Sequence, residues 1–421
     1  MVIVNVFGNH RAFAALTDSG SVVCWGDSEA GGDCQKVREQ VSSGVADICA
    51  SAAAFAALKK DGSVVTWGHR DYGGDSRTVR DELKSGVSHI TATESAFAAM
   101  TDGGKVISWG NQAHGGDSDS VKHRLQKEVR HIFSNKVAFA ALKSDGSLIS
   151  WGDAECGGDC SKILQELNEI GSPPITTIYS SPYAFAARRA DGSVITWGDP
   201  DSGGDSSDVV ESLEGGVQWI GCTDDALAAI KSSGEVVTWG DPASGGDTSS
   251  VRRHLRAIAS VVATRGAFAA LREDGSVVCW GDSSCGGNAF AVAQQLNGVR
   301  KLQATRGAFA ALKEDGSIVV WGDEKHGANA KSVSNIISSG VKDIFANNVS
   351  FTALKENGGL VTWGDESQAA SSVLPRIPHV QRIVATKFAF ALLKCDGSVL
   401  TWGDPAAGGD STAVKHQLSC A

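Results

Sequence analysis

The sequence contains no apolar run approaching the roughly 18 residues that a membrane-spanning helix needs, which excludes the helical route across a bilayer. Its opening residues, MVIVNVFGNHRAF, carry neither a basic leader segment nor a long apolar one, so no secretory signal is expected. The expectation is an intracellular protein, cytoplasmic or nuclear. Dense runs of Lys and Arg are also missing. With 38 basic against 48 acidic residues the net charge is −10, which argues against nucleic-acid partners and anionic membranes, since both require clustered cations. The chain has no phosphate-binding loop, no dinucleotide fingerprint, no paired-histidine zinc motif and no Gly-x-Ser-x-Gly elbow between strand and helix. The expectation is therefore a protein that is not an enzyme, uses no cofactor and does not insert into membranes.

What the sequence does have is repetition. Ten tryptophans, Trp25, Trp67, Trp109, Trp151, Trp197, Trp239, Trp280, Trp321, Trp363 and Trp402, follow one another at intervals of 42, 42, 42, 46, 42, 41, 41, 42 and 39 residues. Only Trp219 lies outside the series. These tryptophans read as packing residues of a strand rather than as ligands. A fixed period of this size signals a repeat architecture, so residues 1–421 are expected to form a single repeat domain of ten units of about 42 residues.

Each unit has the same grammar. A short segment such as GVSHITAT (Gly86–Thr93) precedes an AFAAL-type run, a polar Asp-Gly pair and then a SVVTWG-type run. An Asp-Gly pair between apolar runs predicts a hairpin, expected here as a type I′ turn with positive φ at both central residues. Three antiparallel strands per unit follow. After the third come Trp-Gly-Asp, a variable triplet, Gly-Gly-Asp and a helical pattern. In GGDSRTVRDELKSGV (Gly73–Val87), Asp75 or Ser76 can cap a helix, Val79 and Leu83 form one apolar face, and Gly86 ends it. The same pair recurs at Val121/Leu125, Ile163/Leu167, Val209/Leu213, Val251/Leu255 and Val414/Leu418. An odd number of strands leaves the chain at the far end of the unit, and a helix of about ten residues is the right length to bring it back.

A unit this small cannot bury its own faces, so units must stack. The expected fold is a mainly β repeat protein: a β-propeller of about ten three-stranded blades, each followed by a short return helix. An open β/α solenoid of the same units is the alternative.

At ALKEDGSIVVWGDEKHG (Ala311–Gly327) the repeat resembles those of the regulator of chromosome condensation family of propellers. The short period is more similar to the three-stranded blades of the bacterial β-lactamase inhibitor propeller, which has a related Leu-Lys-x-Gly-x-Val-x-x-Trp-Gly-Asp phrase. The resemblance covers the whole chain. It implies a propeller with protein-binding loops, although ten units is more than those relatives usually carry. The family's ubiquitin ligases bring a separate catalytic domain, and this chain has no non-repeat segment. The Gly-Trp-Arg-His-Thr cluster of the plant ultraviolet photoreceptor is absent. The nucleotide-exchange members insert a wedge in one blade, and the nearest counterpart here is Glu169–Tyr183, four residues over the period.

Three sets of residues are candidates for function. Acidic residues follow Trp-Gly (Asp27, Asp153, Asp199, Asp241, Asp282, Asp323, Asp365, Asp404) and Gly-Gly (Asp33, Asp75, Asp117, Asp159, Asp205, Asp247, Asp410). They could serve a calcium site, but turn formation and helix capping explain them without the dense ligand spacing that a calcium loop needs. Among ten cysteines, Cys24 and Cys279 precede the repeat tryptophan where other units have Thr or Ser, and Cys34 and Cys160 replace the Ser or Thr after Gly-Gly-Asp. They read as reduced thiols in ordinary small-residue slots. Cys156 and Cys160 have a spacing compatible with metal or redox chemistry, but no second Cys/His pair lies nearby.

The third set is the variable residues. The turn between the first two strands and the loop after the third should emerge on one face, with the Asp-Gly turns on the other. A constant frame with varied loops is how a rigid scaffold presents a binding surface. The candidate partner-binding residues are His10, Arg11, Lys136, Tyr183, Arg265, Arg306 and Lys387 in the first turn, with Arg70, Tyr72, His114, Glu155, Lys325 and His326 in the loop after the third strand. The expected function is a non-enzymatic protein–protein interaction scaffold or assembly subunit. A nucleotide-exchange regulator of a small GTPase and an acidic-loop metal-binding protein stay open as alternatives.

Overall fold

The computed structural model describes residues 2–167, 171–364, 372–374, 377 and 379–419. Among these residues, ten antiparallel sheets follow one another in chain order, each running from first to middle to third strand. In the second repeat the strands are Val45–Ala50, Ala54–Lys59 and Val64–Gly68. The first strand carries a bulge between Val45 and Asp47. Corresponding bulges recur in the other blades, giving each first strand extra local twist.

The AFAAL run explains the stacking. In a strand, alternate residues face opposite sides, and this middle strand is covered on both. Ala12, Ala14 and Leu16 enter a layer shared with Phe55 and Trp67 of the next blade. Phe13 and Ala15 enter the opposite layer, with Ala389, Ala391 and Leu393 of the tenth blade. The core is thus a series of thin layers between neighbouring blades. Within a blade, Phe55 and Trp67 lie directly opposite across the strands and stack at 5.4 Å.

The blades form two compact units: Met1–Ser172 with His379–Ala421, and Pro173–Pro378. The first unit therefore holds the first four blades together with the tenth. In it the Trp25 indole N–H donates to the Gly408 carbonyl at 3.1 Å, and Ile3 N–H donates to the Gly397 carbonyl at 3.3 Å. Within this unit the first and tenth blades thus share a core layer. The second unit holds the fifth to ninth blades.

Two local expectations change. The Asp-Gly hairpins are not type I′: Gly62 has φ +77°, but Asp61 is not in the left-handed region. Gly62 N–H donates to the Lys59 carbonyl at 2.9 Å and Lys59 N–H to the Ser63 carbonyl at 2.9 Å. This is a type I turn closed by a left-handed glycine, the three-residue hairpin with a bulge. Asp61 stabilises it by accepting from the Ser63 amide and hydroxyl at 2.9 and 2.6 Å.

The return leg is also shorter than a ten-residue helix. It is α-helical at Ser161–Leu167, Ser334–Ile337 and Lys415–Leu418. Elsewhere it is made of 3₁₀ and simple turns, such as Arg77–Val79. A 3₁₀ turn rises about 2.0 Å per residue, so a few residues cover the distance, and a short segment gains little from completing a costly α-helical nucleus. The apolar face survives: Leu83 and Leu125 are buried, while Val79 and Val121 are half-buried. The Leu83 carbonyl accepts from Val64 N–H at 2.9 Å, tying the return leg to the third strand.

In the ninth blade, the backbone of Ser372–Leu374 adds a fourth strand against Leu360–Gly364. Asp365 lies outside the described residues, as do residues 168–170 at the start of the longer fifth repeat.

Candidate interaction face

The first turn and the loop after the third strand are fastened together in the same way from blade to blade. One polar residue opens each first turn: Asn9, Ser51, Thr93 and Asn135 in the first four blades. Its side chain donates to the carbonyl of Ala30, Tyr72, His114 or Cys156 in the loop of the same blade, at 2.6, 2.7, 3.1 and 2.7 Å. Its oxygen also accepts the amide of Ala12, Ala54, Ala96 or Ala138 three residues on. Ser181, Thr223, Thr264 and Thr305 make the matching loop bonds in the fifth to eighth blades, and Thr386 makes one to Ala407 in the tenth. Both loops therefore do lie on one face, opposite the Asp-Gly turns. These fasteners are absent from the sequence candidates, and their signal was available: the slot before the turn tip always holds Ser, Thr or Asn.

A second set of bonds runs between blades. Lys387 N–H donates to the His10 carbonyl, His10 to Ala52, Ala52 to Glu94 and Glu94 to Lys136, at 3.1, 3.2, 2.8 and 2.8 Å. In the other unit Asp224 donates to Arg265, Arg265 to Arg306 and Arg306 to Asn348, at 2.8, 2.9 and 3.0 Å. The fifth blade has Pro182 at its tip, which carries no amide proton to continue such a row. The side chains of successive tips are thus set on a backbone held at regular spacing.

On this frame the candidate residues separate into groups. His10, Lys136 and Lys387 come close enough to interact electrostatically: His10 is pushed down to about 4, by burial first and then by Lys387 and Lys136. Arg306 reaches Asp224 two blades away at 3.7 Å. Arg265 Nε donates to Cys285 Sγ at 3.2 Å. Arg11 pairs with Asp27 at 3.2 Å, and the exposed Arg70 approaches Asp75 at 3.7 Å. Tyr72 packs edge-on to His69 at 5.2 Å. His114 shares a 2.7 Å hydrogen bond with Ser95, and His326 one of 2.7 Å with Asp323. Glu155 and Lys325 are exposed beyond their capped turns. The Tyr183 carbonyl accepts from Asp199 N–H at 3.1 Å, fastening the first turn of the fifth blade to its loop.

The acidic series are turn caps. After Trp-Gly, Asp27, Asp153 and Asp241 accept the amide two residues on at 3.0, 3.1 and 3.1 Å. Asn111 does the same at 3.0 Å and the His69 ring nitrogen at 3.2 Å, so the two residues that interrupt the acidic series do the same job. After Gly-Gly, Asp33, Asp75 and Asp117 cap at 2.8, 3.1 and 2.8 Å. Asp75 also grips Arg77 at 2.6 Å, and that side chain draws its carboxyl down to about 2. Among the described residues no group of His, Cys, Asp and Glu is arranged to hold a metal ion, and no helix is long and apolar enough to cross a membrane.

Two expected results follow. Asn135→Ala removes a bond to the loop and leaves the buried amides of Val137 and Ala138 without their acceptor. A loss of about 1–3 kcal/mol in urea unfolding is expected. An unchanged midpoint would show that the fastener is dispensable. Free histidine titrates near 6.5, whereas folded His10 resists protonation down to about 4. The folded state therefore binds fewer protons than the unfolded chain below pH 6.5, and His10 destabilises the fold progressively as pH falls from about 6.5 toward 4. Thermal unfolding at pH 7 and pH 5 should show a smaller acid-induced drop in His10→Gln than in the natural protein. Equal drops would contradict the placement of His10 among these cations.

Fold and face together define a tandem-repeat protein of propeller-type blades with a built loop face. Residues 258–286 match the family model of the regulator of chromosome condensation (RCC1) repeat. That segment is the three strands of the seventh blade and the turn after the third, so this blade matches an RCC1 repeat, and the same grammar recurs along the chain. No curated protein sequence matches the chain. Among solved structures the chain is similar to human WBSCR16, with 15% identity over 56% of this chain and 77% of that one and a TM-score of 0.35. It is similar to Prp20p from Saccharomyces cerevisiae, a structure reported with its binding to Gsp1p and histones, at 13% identity over 96% and 82% with a TM-score of 0.36. The CRINKLY ectodomain of the Arabidopsis thaliana receptor kinase ACR4 matches at 15% identity over 63% and 93%, with a TM-score of 0.35.

Proposed function

We propose that this chain is a non-enzymatic scaffold that binds protein partners through the face made by its first turns and its post-third-strand loops. The observation that carries the reading is the repeated fastener. Asn9, Ser51, Thr93 and Asn135 fix two loops per blade at the same height, while the residues around them change from blade to blade. A frame that holds loops rigid lowers the ordering cost of binding. His10, Arg11, Lys136, Tyr183, Arg265, Arg306 and Lys387 on the turns, with Arg70, Tyr72, His114, Glu155, Lys325 and His326 beside them, are the residues proposed to choose the partner. Capture of stoichiometric partners by the native protein, identified by mass spectrometry, tests the reading. Substrate turnover in an activity screen together with no recovered partner would overturn it.

The match of residues 258–286 to the RCC1 repeat supports a second reading, a nucleotide-exchange regulator of a small GTPase. Release of labelled GDP across a GTPase panel separates the two. Acceleration of one member supports the second reading, and no acceleration with a partner still captured leaves the scaffold.

A further inference from the structure

In several blades the residue before the repeat tryptophan and the residue after Gly-Gly-Asp meet inside the blade. Thr66 and Ser76 bring their hydroxyls to 3.0 Å, Thr196 and Ser206 to 2.9 Å, and Thr401 and Ser411 to 2.9 Å. In the first blade both members of this pair are cysteine, Cys24 and Cys34. Neither is in a disulfide. Both thiols pack on the apolar cluster that contains Phe55 and Trp67 of the second blade, with Cys24 only 7% exposed and Cys34 partly so.

We propose that Cys24 and Cys34 form a reversible dithiol–disulfide switch responding to peroxide. A disulfide requires its sulfurs to close to about 2.05 Å, and in this slot the equivalent hydroxyl pairs of four other blades already stand at 2.9–3.5 Å. The neighbouring Cys24 thiol draws the Cys34 thiol down toward the thiolate, while burial pushes the Cys24 thiol up. Cys34, the more exposed, is therefore the attacking group. Its thiolate displaces hydroxide from hydrogen peroxide, giving a sulfenic acid, and the hydroxide takes up a proton to become water. The Cys24 thiol then attacks that sulfur; the S–S bond forms, and the sulfenic hydroxyl leaves as a second water with the Cys24 proton. The sulfurs lose two electrons to the peroxide. A dithiol reductant returns both thiols by exchange. The bond would close a loop around Asp27–Asp33, which contains Gly31, whose carbonyl accepts the Trp67 indole N–H at 3.0 Å. Oxidation thus fastens the turn that joins the first blade to the second.

The test uses the intact protein. Cys24 and Cys34 lie on one tryptic peptide, Ala12–Lys36. After treatment with hydrogen peroxide, alkylation under denaturing conditions and digestion, that peptide should carry no alkyl group and weigh about 2 Da less than its unmodified dithiol form. Dithiothreitol before alkylation should restore two alkyl groups, and the oxidised protein should melt at a higher temperature than the reduced one. Cys34→Ser should abolish the 2 Da loss. The double variant Cys24→Thr with Cys34→Ser, which recreates the pair found in other blades, should fold normally and show no redox-dependent melting shift. Two alkyl groups retained after peroxide, or oxygen added at Cys34 without the 2 Da loss, would overturn the proposal. So would a redox-dependent melting shift that persists in the double variant.

Discussion

Trp109→Ala is expected to lower the unfolding free energy by about 3–5 kcal/mol, the range for removing a buried aromatic from a packed core. Trp109 is 2% exposed. It stacks on Phe97 at 5.3 Å, and its indole N–H donates to the Gly73 carbonyl of the preceding blade at 3.0 Å. The substitution opens a cavity in the layer formed by Ala54, Ala56 and Leu83 on one side and Val87, Ile90, Phe97 and Ile107 on the other. It also leaves the Gly73 carbonyl without its donor. Trp109→Phe keeps most of the volume and loses the bond, so it should cost less, about 1–2 kcal/mol. Urea unfolding followed by circular dichroism gives both values. A loss below about 1 kcal/mol for the alanine variant would mean that the tryptophan does not join the blades.

Gly73→Ala should cost nearly as much, about 2–5 kcal/mol, through two separate effects. Gly73 has φ +89°, where an alanine is strained by about 1–2 kcal/mol. A Cβ there would also stand 2.5 Å from Cδ2 of the fully buried Phe97, forcing the ring or the turn to move. Overpacking of this kind adds about 1–3 kcal/mol. Gly86 is the matched control. It has φ +77°, but an added Cβ would meet nothing within 4 Å. Gly86→Ala should therefore show only the backbone part, about 1–2 kcal/mol. Equal losses at the two positions would show that the contact with Phe97 contributes nothing.

These two residues account for why one phrase recurs along the chain. The first glycine of Gly-Gly lies against the Phe of the next blade's AFAAL run and offers its carbonyl to the next blade's tryptophan. The period, the hairpins and the three strands could be read from sequence because each depends on residues close together in the chain. So could the capping role of the aspartates, since Asp27 and Asp75 each accept an amide two residues away. The bonds between blades were not legible. Trp67 and Gly31 are 36 residues apart, and no pattern inside a single repeat shows which carbonyl faces which ring. The same holds for Arg306 with Asp224, which meet across repeats. The shared placement of Cys24 and Cys34 was half visible: both slots could be recognised in the alignment of units, but that both pack on one cluster depends on how the chain folds back after the third strand. That leg was also where the expected helix shortened, because its length is set by the distance to be covered rather than by the apolar pair Val79 and Leu83.

The loop face is the central claim, and a comparison of two faces tests it most directly. Partner capture should be measured for the natural protein, for Lys136→Glu with Lys387→Glu on the proposed face, and for Lys60→Glu with Glu314→Lys on exposed Asp-Gly turns of the opposite face. Partner binding should fall at least tenfold in the first variant and stay within about twofold in the second, with both variants melting like the natural protein. Equal retention by both variants, or loss only when the Asp-Gly face is changed, would contradict it.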